Sequence, residues 1–432
     1  MICDNISINE AGHLCFAGQD TVELASQYGT PLYLMDADRI RHNCRTYISA
    51  MQQAYGDNFE VIYAGKAASF KQMYRIMAQE GMSVDSVSVG EIFTALSAGF
   101  PAEHIHFHGN NKTERDLAFA LDQGVGTIVV DNTEELTALN EMAGDKDIKQ
   151  NILLRLTPGI DTHTYEAVST GKVDSKFGFA IETGQAEEAT KLALSMDGIV
   201  LEGFHCHVGS QVFDSDSFVM SATIMLRYIK EIQTKYGYTA KSLDLGGGYG
   251  VRYLETDPYM DIRSNILRVA DHIKATCKEL DLPVPKVMME PGRSIVADAG
   301  MTLYTVGTVK EIPGYKNYVA IDGGMTDNPR YALYESEYTV MAANQANEPC
   351  DKVFDLVGRC CESGDIIQPA VSLPRNVQKC DLIAVLTTGA YNYSMSSNYN
   401  RFLKPPVVML EQGESRMVVR RETLDDLIQY DF

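Results

Sequence analysis

The sequence predicts an α/β fold: a (β/α)8 TIM barrel over residues 36–300, and a C-terminal β-domain built from 301–432 together with 1–35. Three observations carry this. Between residues 59 and 300, short apolar or β-branched runs alternate with stretches whose apolar residues recur every three to four positions. The alternation repeats about eight times, the number that closes a barrel of parallel strands inside a ring of helices. After residue 301 the helical periodicity fades and strand-like runs follow one another across turns. A doubly wound open sheet is the competing architecture, and spacing alone does not separate the two. The barrel makes one checkable demand: reactive groups should sit just after the strands, at their C-terminal ends.

In order, the barrel strands are expected at Glu60–Ala64, Ser83–Val87, His104–Phe107, Thr127–Val130, Ile152–Leu156, Val200–His205, Ser242–Leu245 and Lys286–Met289. Helices are expected at Phe70–Glu80, Gly90–Ala98, Lys112–Gln123, Glu134–Met142, Gly184–Ser195, Ser217–Tyr236 and Arg263–Leu280, each with an apolar stripe and charge opposite. The β-domain draws on Leu303–Val309, Tyr318–Asp322, Lys352–Val357, Asp381–Leu386 and Val407–Leu410, in a sandwich-like or Greek-key-like barrel. Pro31–Met35 is the N-terminal strand that joins it, and the rest of 1–34 reads as strand and turn.

Composition excludes several function classes. With 37 Lys and Arg against 58 Asp and Glu, the net charge of −21 leaves no broad basic face for nucleic acid. A hydrophobic share of 45% and a charged share of 22% are those of a globular chain, not of a disordered or fibrous one. No apolar run reaches the length of about 18 residues that marks a membrane-spanning helix. The opening Met1-Ile-Cys-Asp-Asn-Ile-Ser7 lacks the basic-then-apolar pattern of a secretory signal. Nine cysteines, an odd number without CxxC or repeated spacing, point to a reducing, cytoplasmic compartment.

Several strand ends carry chemistry. The first closes as Val61-Ile-Tyr-Ala-Gly-Lys66. A lysine at the barrel mouth loses ammonium stability through burial and gains nucleophilicity; a surface lysine opening a loop is the plainer alternative. The seventh runs into Gly246, Gly247 and Gly248, whose backbone N–H groups suit an anion nest or simply a tight turn. Barrels often bind phosphate after strands seven and eight. A dinucleotide fingerprint is only loosely matched, and Gly171-Lys172-Val173 lacks the pattern of a nucleotide phosphate loop. The eighth strand ends Met288-Met-Glu-Pro-Gly-Arg293. Glu290 suits a protonated ring nitrogen and Arg293 a phosphate or carboxylate, unless the two form a structural ion pair. His104/His106/His108 and His205/His207 alternate as metal ligands do, yet no further ligand stands at a zinc spacing. No metal is expected, and barrel-lining or ligand-stacking roles fit better. In the C-terminal block, Cys361 beside Glu362 pairs a proton-donating thiol with an amine-binding acid. A vicinal disulfide with Cys360 would be strained.

Taken in order, these segments resemble the fold type III pyridoxal-phosphate decarboxylases. The matching runs are Tyr63-Ala-Gly-Lys-Ala67, Asp85-Ser-Val-Ser-Val-Gly-Glu91, Phe107-His-Gly-Asn-Asn-Lys112, Ser175-Lys-Phe-Gly178 and His205-Cys-His-Val-Gly-Ser-Gln211. Gly246–Gly248, Glu290-Pro-Gly-Arg293, Arg330-Tyr-Ala-Leu-Tyr334, Cys361-Glu-Ser-Gly-Asp365 and Gly389-Ala-Tyr391 follow. Glu362, where ornithine decarboxylases carry Asp, is similar to the diaminopimelate branch. Ala68 and Tyr331 depart from the family's usual Asn and Pro, and Cys360 is atypical.

The resemblance implies pyridoxal 5'-phosphate as cofactor and decarboxylation of meso-2,6-diaminopimelate to L-lysine and CO2, the last step of lysine biosynthesis. It implies Lys66 as the cofactor's covalent anchor and Cys361 as general acid. Asp85, His207, Ser210, Gly246, Gly247, Gly248, Glu290, Gly292, Arg293 and Tyr391 would bind the cofactor. Arg293, Arg330, Tyr334, Glu362 and Tyr391 would bind the amino-acid substrate. It further implies a homodimer with shared active sites. Decarboxylation of another basic amino acid or a carboxy-polyamine is the nearest alternative, and a non-catalytic cofactor-binding barrel a more distant one.

Overall fold

The computed structural model describes residues 2–160 and 175–432. Gly171-Lys172-Val173 lies outside them. The chain divides into two compact units: Asn43–Gly250 with Tyr259–Ser294, and Met1–His42 with Val251–Pro258 and Ile295–Phe432.

The first unit is a closed parallel barrel. Its strands are β1 (Phe59–Ala64), β2 (Ser83–Ser86), β3 (Ile105–Phe107), β4 (Thr127–Val130), β5 (Gln150–Thr157), β6 (Ile199–His205), β7 (Ser242–Asp244) and β8 (Lys286–Met289). Each pairs in parallel with the next, β8 pairs back onto β1, and β4 joins β5, so the ring has no open edge and the open-sheet alternative falls. A short strand, Phe179–Ala180, adds to β5. Ile62, Val129, Leu153 and Met288 form a buried apolar cluster of strand residues, as expected of a barrel packed solid rather than hollow.

Most helix ends follow from their caps. Ser88, Asn132, Asp214 and Asp261 each accept a backbone N–H at a helix start. Thr113 closes a reciprocal capping box with Asp116, so that helix begins at Glu114 rather than at Lys112 as the periodicity suggested. Lys112, left outside, turns inward: its Nζ lies 2.9 Å from Glu135, and both side chains are buried. His104 likewise falls outside the strand expected to contain it, in the 3-10 turn Ala102–His104 that follows Pro101.

The second unit holds a small antiparallel sheet of Ile6–Ile8, Leu14–Phe16 and Gln19–Asp20 and a larger mixed, branched sheet. The main path of the larger sheet orders the strands Ile366–Leu373, Lys352–Val357, Asn317–Ile321, Gly300–Glu311, Leu32–Asp36, Val407–Glu411 and Glu414–Val419; Leu382–Leu386 branches from Gly300–Glu311 and carries Val340–Ala342. Where a sandwich-like or Greek-key-like barrel was expected, the larger strands form this mixed sheet, with two apolar clusters. One gathers Leu14, Phe16, Leu32, Leu34 and Leu303, the other Tyr304, Val319, Phe354 and Ile383. Residues 1–34 are not only strand and turn: Thr21–Tyr28 is a helix, capped by Asp20 and stopped at Gly29. Among the described residues no helix is long and apolar enough to cross a membrane, and none of the nine cysteines is joined in a disulfide.

Candidate active site

Ionisable groups crowd the C-terminal ends of the barrel strands, where the barrel rule places chemistry. Lys66 sits in the 3-10 turn Gly65–Ala67 directly after β1. The turn buries Gly65 and Ala67 and leaves Lys66 exposed at the strand end. Its charge still reaches the neighbouring groups. On β2, burial pushes the Asp85 carboxyl up, His108 pulls it down, Glu290 pushes it up and Lys66 pulls it down. Burial, then the charges of Lys66 and Arg155, keep His207 a neutral ring.

Glu290 follows β8 and is the centre of the cluster. Its Oε1 lies 2.7 Å from His108 Nε2 and its Oε2 lies 3.1 Å from His205 Nε2; the two rings meet edge-on with centroids 5.0 Å apart. All three residues are buried. Burial pushes both imidazoles below their ordinary value, against the pull of the Glu290 charge. Burial opposes charge on Glu290, but the two imidazole contacts outweigh it and hold the carboxyl well below its ordinary range. Asp244, which ends β7, is pushed well above its ordinary range by burial and by the Glu290 charge.

The glycine turn is pressed against this cluster. Asp244 Oδ1 accepts the Gly246 N–H at 2.8 Å, and the Glu290 N–H donates to the Gly246 carbonyl at 2.9 Å. A Cβ on Gly246 would stand 2.7 Å from His207 Nδ1, and one on Gly247 would overlap the Glu290 carbonyl oxygen, so only glycine fits. Gly248 lies against Gly209, and Gly292 against Ala64. Arg293 is buried and directs Nε and Nη2 at Ser210 Oγ, each at 3.1 Å. Lys66, Asp85, His207, Ser210, Gly246–Gly248, Glu290, Gly292 and Arg293 thus all belong to the barrel unit and gather around its rim. The histidines regroup relative to their sequence spacing: His106 faces Glu60 at 3.0 Å, while one member of each set, His108 and His205, converges on Glu290. His108, His205 and Asp244 were not among the expected site residues. Their signal was positional, since each ends a strand or directly follows one.

The remaining expected residues lie in the second unit. Arg330 is buried in the helix Arg330–Tyr334, its guanidinium 4.6 Å from the Tyr334 ring and 5.4 Å from the Tyr391 ring, with Nε lacking a hydrogen-bond partner. Cys361 and Glu362 are exposed on the loop between Lys352–Val357 and Ile366–Leu373. Just before Arg330, the Asp327 carboxyl is buried and pushed up to about 7.

The barrel cluster fits pyridoxal phosphate on its own chemistry. An ionised buried carboxylate suits a protonated ring nitrogen, and a turn that admits no Cβ, beside a buried guanidinium, suits a phosphate. The family profile "Pyridoxal-dependent decarboxylase, pyridoxal binding domain" matches residues 38–297. The diaminopimelate decarboxylase of Bacillus subtilis (strain 168) is 45% identical over 423 residues, spanning 98% of this chain and 96% of its own length. That of Staphylococcus aureus (strain COL) is 42% identical over 423 residues, spanning 98% of each. The crystal structure of diaminopimelate decarboxylase from M. jannaschii in co-complex with L-lysine superposes with a TM-score of 0.91 at 33% identity, covering 99% of this chain and 98% of that one. The chain belongs to the pyridoxal-dependent decarboxylase family, in its diaminopimelate decarboxylase branch.

Proposed function

We propose that this chain decarboxylates meso-2,6-diaminopimelate to L-lysine and CO2, the last step of lysine biosynthesis, with pyridoxal 5'-phosphate held at the barrel rim. The observation that carries the reading is Glu290, a buried carboxylate kept charged by His108 and His205 beside a glycine turn. When bound, pyridoxal phosphate supplies an electron sink for the bonding pair left by the departing carboxylate. Lys66 binds it through Nζ, and Asp85 offsets the charge of that amine. Glu290 keeps the ring nitrogen protonated, and His207 offers a neutral aromatic face. Ser210, Arg293, Tyr391 and the N–H groups of Gly246, Gly247, Gly248 and Gly292 take the phosphate.

Substrate binding falls to Arg293, Arg330, Tyr334, Glu362 and Tyr391. Arg330 supports this best: a planar guanidinium held near two tyrosine rings, with Nε unpaired, presents the fork that a distal carboxylate needs and a lysine cannot copy. Glu362 takes the distal ammonium. A substrate lacking either group leaves these charges unmatched, which is how the site rejects lysine and ornithine. Cys361 returns a proton to the carbon that lost CO2. Two copies share each site, Cys361 of one serving Lys66 of the other. An odd number of cysteines without CxxC or repeated spacing favours a reducing cytoplasm as the setting.

CO2 release measured across diaminopimelate, lysine, ornithine and carboxy-polyamines tests the substrate; diaminopimelate should be turned over in clear preference, and a preference for another amine refutes the reading. Borohydride reduction should fix the cofactor to Lys66, and peptide mass spectrometry finding it on another lysine refutes that anchor. Mixing Lys66→Ala with Cys361→Ala subunits should restore activity that neither has alone, and no restoration refutes shared sites.

A further inference from the structure

We propose that Asn400 is a positioning residue that aims the Cys361 thiol, working with Asp365 on the preceding amide. The inference rests on the reading of Cys361 as proton donor. Two successive backbone N–H groups in this exposed loop are each taken by a side chain. The Cys360 N–H donates to Asp365 Oδ2 at 2.7 Å, and the Cys361 N–H donates to Asn400 Oδ1 at 2.8 Å. The other Asp365 oxygen accepts the Met325 N–H at 2.6 Å, tying the thiol's loop to the turn that leads to Arg330. Gly324 and Gly358 leave room for that carboxylate, since a Cβ on either would run into it.

Asn400 reaches Cys361 from an unusual backbone. In the turn Tyr399–Arg401, Asn400 has φ +49° and Arg401 has φ +60°, two consecutive left-handed residues neither of which is glycine. Non-glycine residues adopt this region rarely, and asparagine is among the few that tolerate it. Such strain persists where surrounding contacts over-determine it, and it concentrates at functional sites. Here the contacts are explicit. The Arg359 guanidinium lies 4.2 Å over the Phe402 ring, Arg401 Nη1 donates to the Leu427 carbonyl at 2.6 Å, and the Ser397 N–H donates to the Thr326 carbonyl at 2.8 Å. Both flanks of the turn are therefore anchored, and Asn400 is the residue it directs at the thiol's own backbone. A thiol on an exposed loop samples many directions unless its main chain is held, and proton delivery to one carbon depends on direction.

Glycine and aspartate at this position separate the turn from the hydrogen bond. Asn400→Gly relieves the left-handed strain and removes the acceptor, while Asn400→Asp keeps an acceptor oxygen. In full-length protein loaded with pyridoxal phosphate, Asn400→Gly should lower kcat roughly 10- to 100-fold with KM within about twofold, and Asn400→Asp should recover most of it. The rate at which iodoacetamide alkylates Cys361, followed by peptide mass spectrometry, should change in Asn400→Gly with cofactor content unaltered. Asn400→Gly with the parent's kcat and alkylation rate overturns the proposal, as does equal impairment of the Gly and Asp variants. Full turnover by Cys361→Ala instead overturns the role of the thiol itself, which keeps the two failures distinct.

Discussion

Replacing Asp327 with asparagine should stabilise the protein at pH 8 and leave it nearly unchanged at pH 4. The carboxyl is buried, with Oδ2 accepting from the Tyr304 hydroxyl at 2.6 Å and Oδ1 from the Gly324 N–H at 3.0 Å. Burial dominates and lifts it from 3.8 to about 7; the donors pull it down and Asp365 pushes it further up. A carboxyl whose folded pKa lies above its unfolded value binds its proton more tightly in the native state. Its contribution is complete below pH 4 and is lost as pH rises to 7. Three pKa units at 1.36 kcal/mol each set the loss at about 4 kcal/mol. Asparagine never ionises, its Oδ1 keeps the Gly324 N–H, and its amide N–H can donate to the Tyr304 oxygen with the sense of that bond reversed. The assay is urea unfolding followed by far-ultraviolet circular dichroism from pH 4 to pH 8, because the chain has no tryptophan. Parallel stability profiles for parent and variant, or a variant weaker at pH 8, would refute the reasoning.

Three further outcomes follow from the barrel. Gly247→Ala drives a methyl into the Glu290 carbonyl oxygen, so apoprotein titrated with pyridoxal phosphate should bind it at least about tenfold more weakly; unchanged affinity counts against the cradle. His205→Phe removes a donor from Glu290 and raises that carboxyl, so cofactor binding should weaken most at acid pH, where a pH-independent affinity ratio would tell against the effect. Lys112→Met leaves Glu135 buried without its lysine and should cost about 3–5 kcal/mol at pH 8. That penalty should shrink as pH falls and Glu135, which burial pushes up and which has lost the pull of Lys112, takes up a proton; a penalty constant with pH would show that the charge is not its source.

The barrel was legible because local rules agreed with one another. Thr127–Val130 and Lys286–Met289 matched their expected ends residue for residue, since short apolar runs bounded by polar turns leave little freedom. Ile366–Leu373 escaped notice because Pro369 interrupts it and a bulge shifts its pairing with Lys352–Val357. Thr21–Tyr28 escaped because eight residues carry too little periodicity for a helix to stand out, although Asp20 caps it. The candidate site divided in the same way. Residues inside contiguous motifs, such as Glu290 with Arg293 and Cys361 with Glu362, were visible as strings. His108 and His205 stood inside such strings without this role, and Asp244 in none of the matching runs, because only strands distant in sequence bring them to Glu290.

By itself the sequence determined the order of the eight barrel strands, the family and the chemical types present at each strand end, while their closure into a ring waited on the strand pairing. These depend on local periodicity, turn chemistry and contiguous motifs, all of which act over a few residues. Only the tertiary structure decided which groups face one another. It exposed Lys66 through a single turn, chose one histidine from each of two sets to clamp Glu290, turned Lys112 inward to Glu135, and brought Asn400 to the Cys361 amide. The physical reason is that charge state and direction belong to neighbours and burial, and those are set by contacts between residues far apart in the chain.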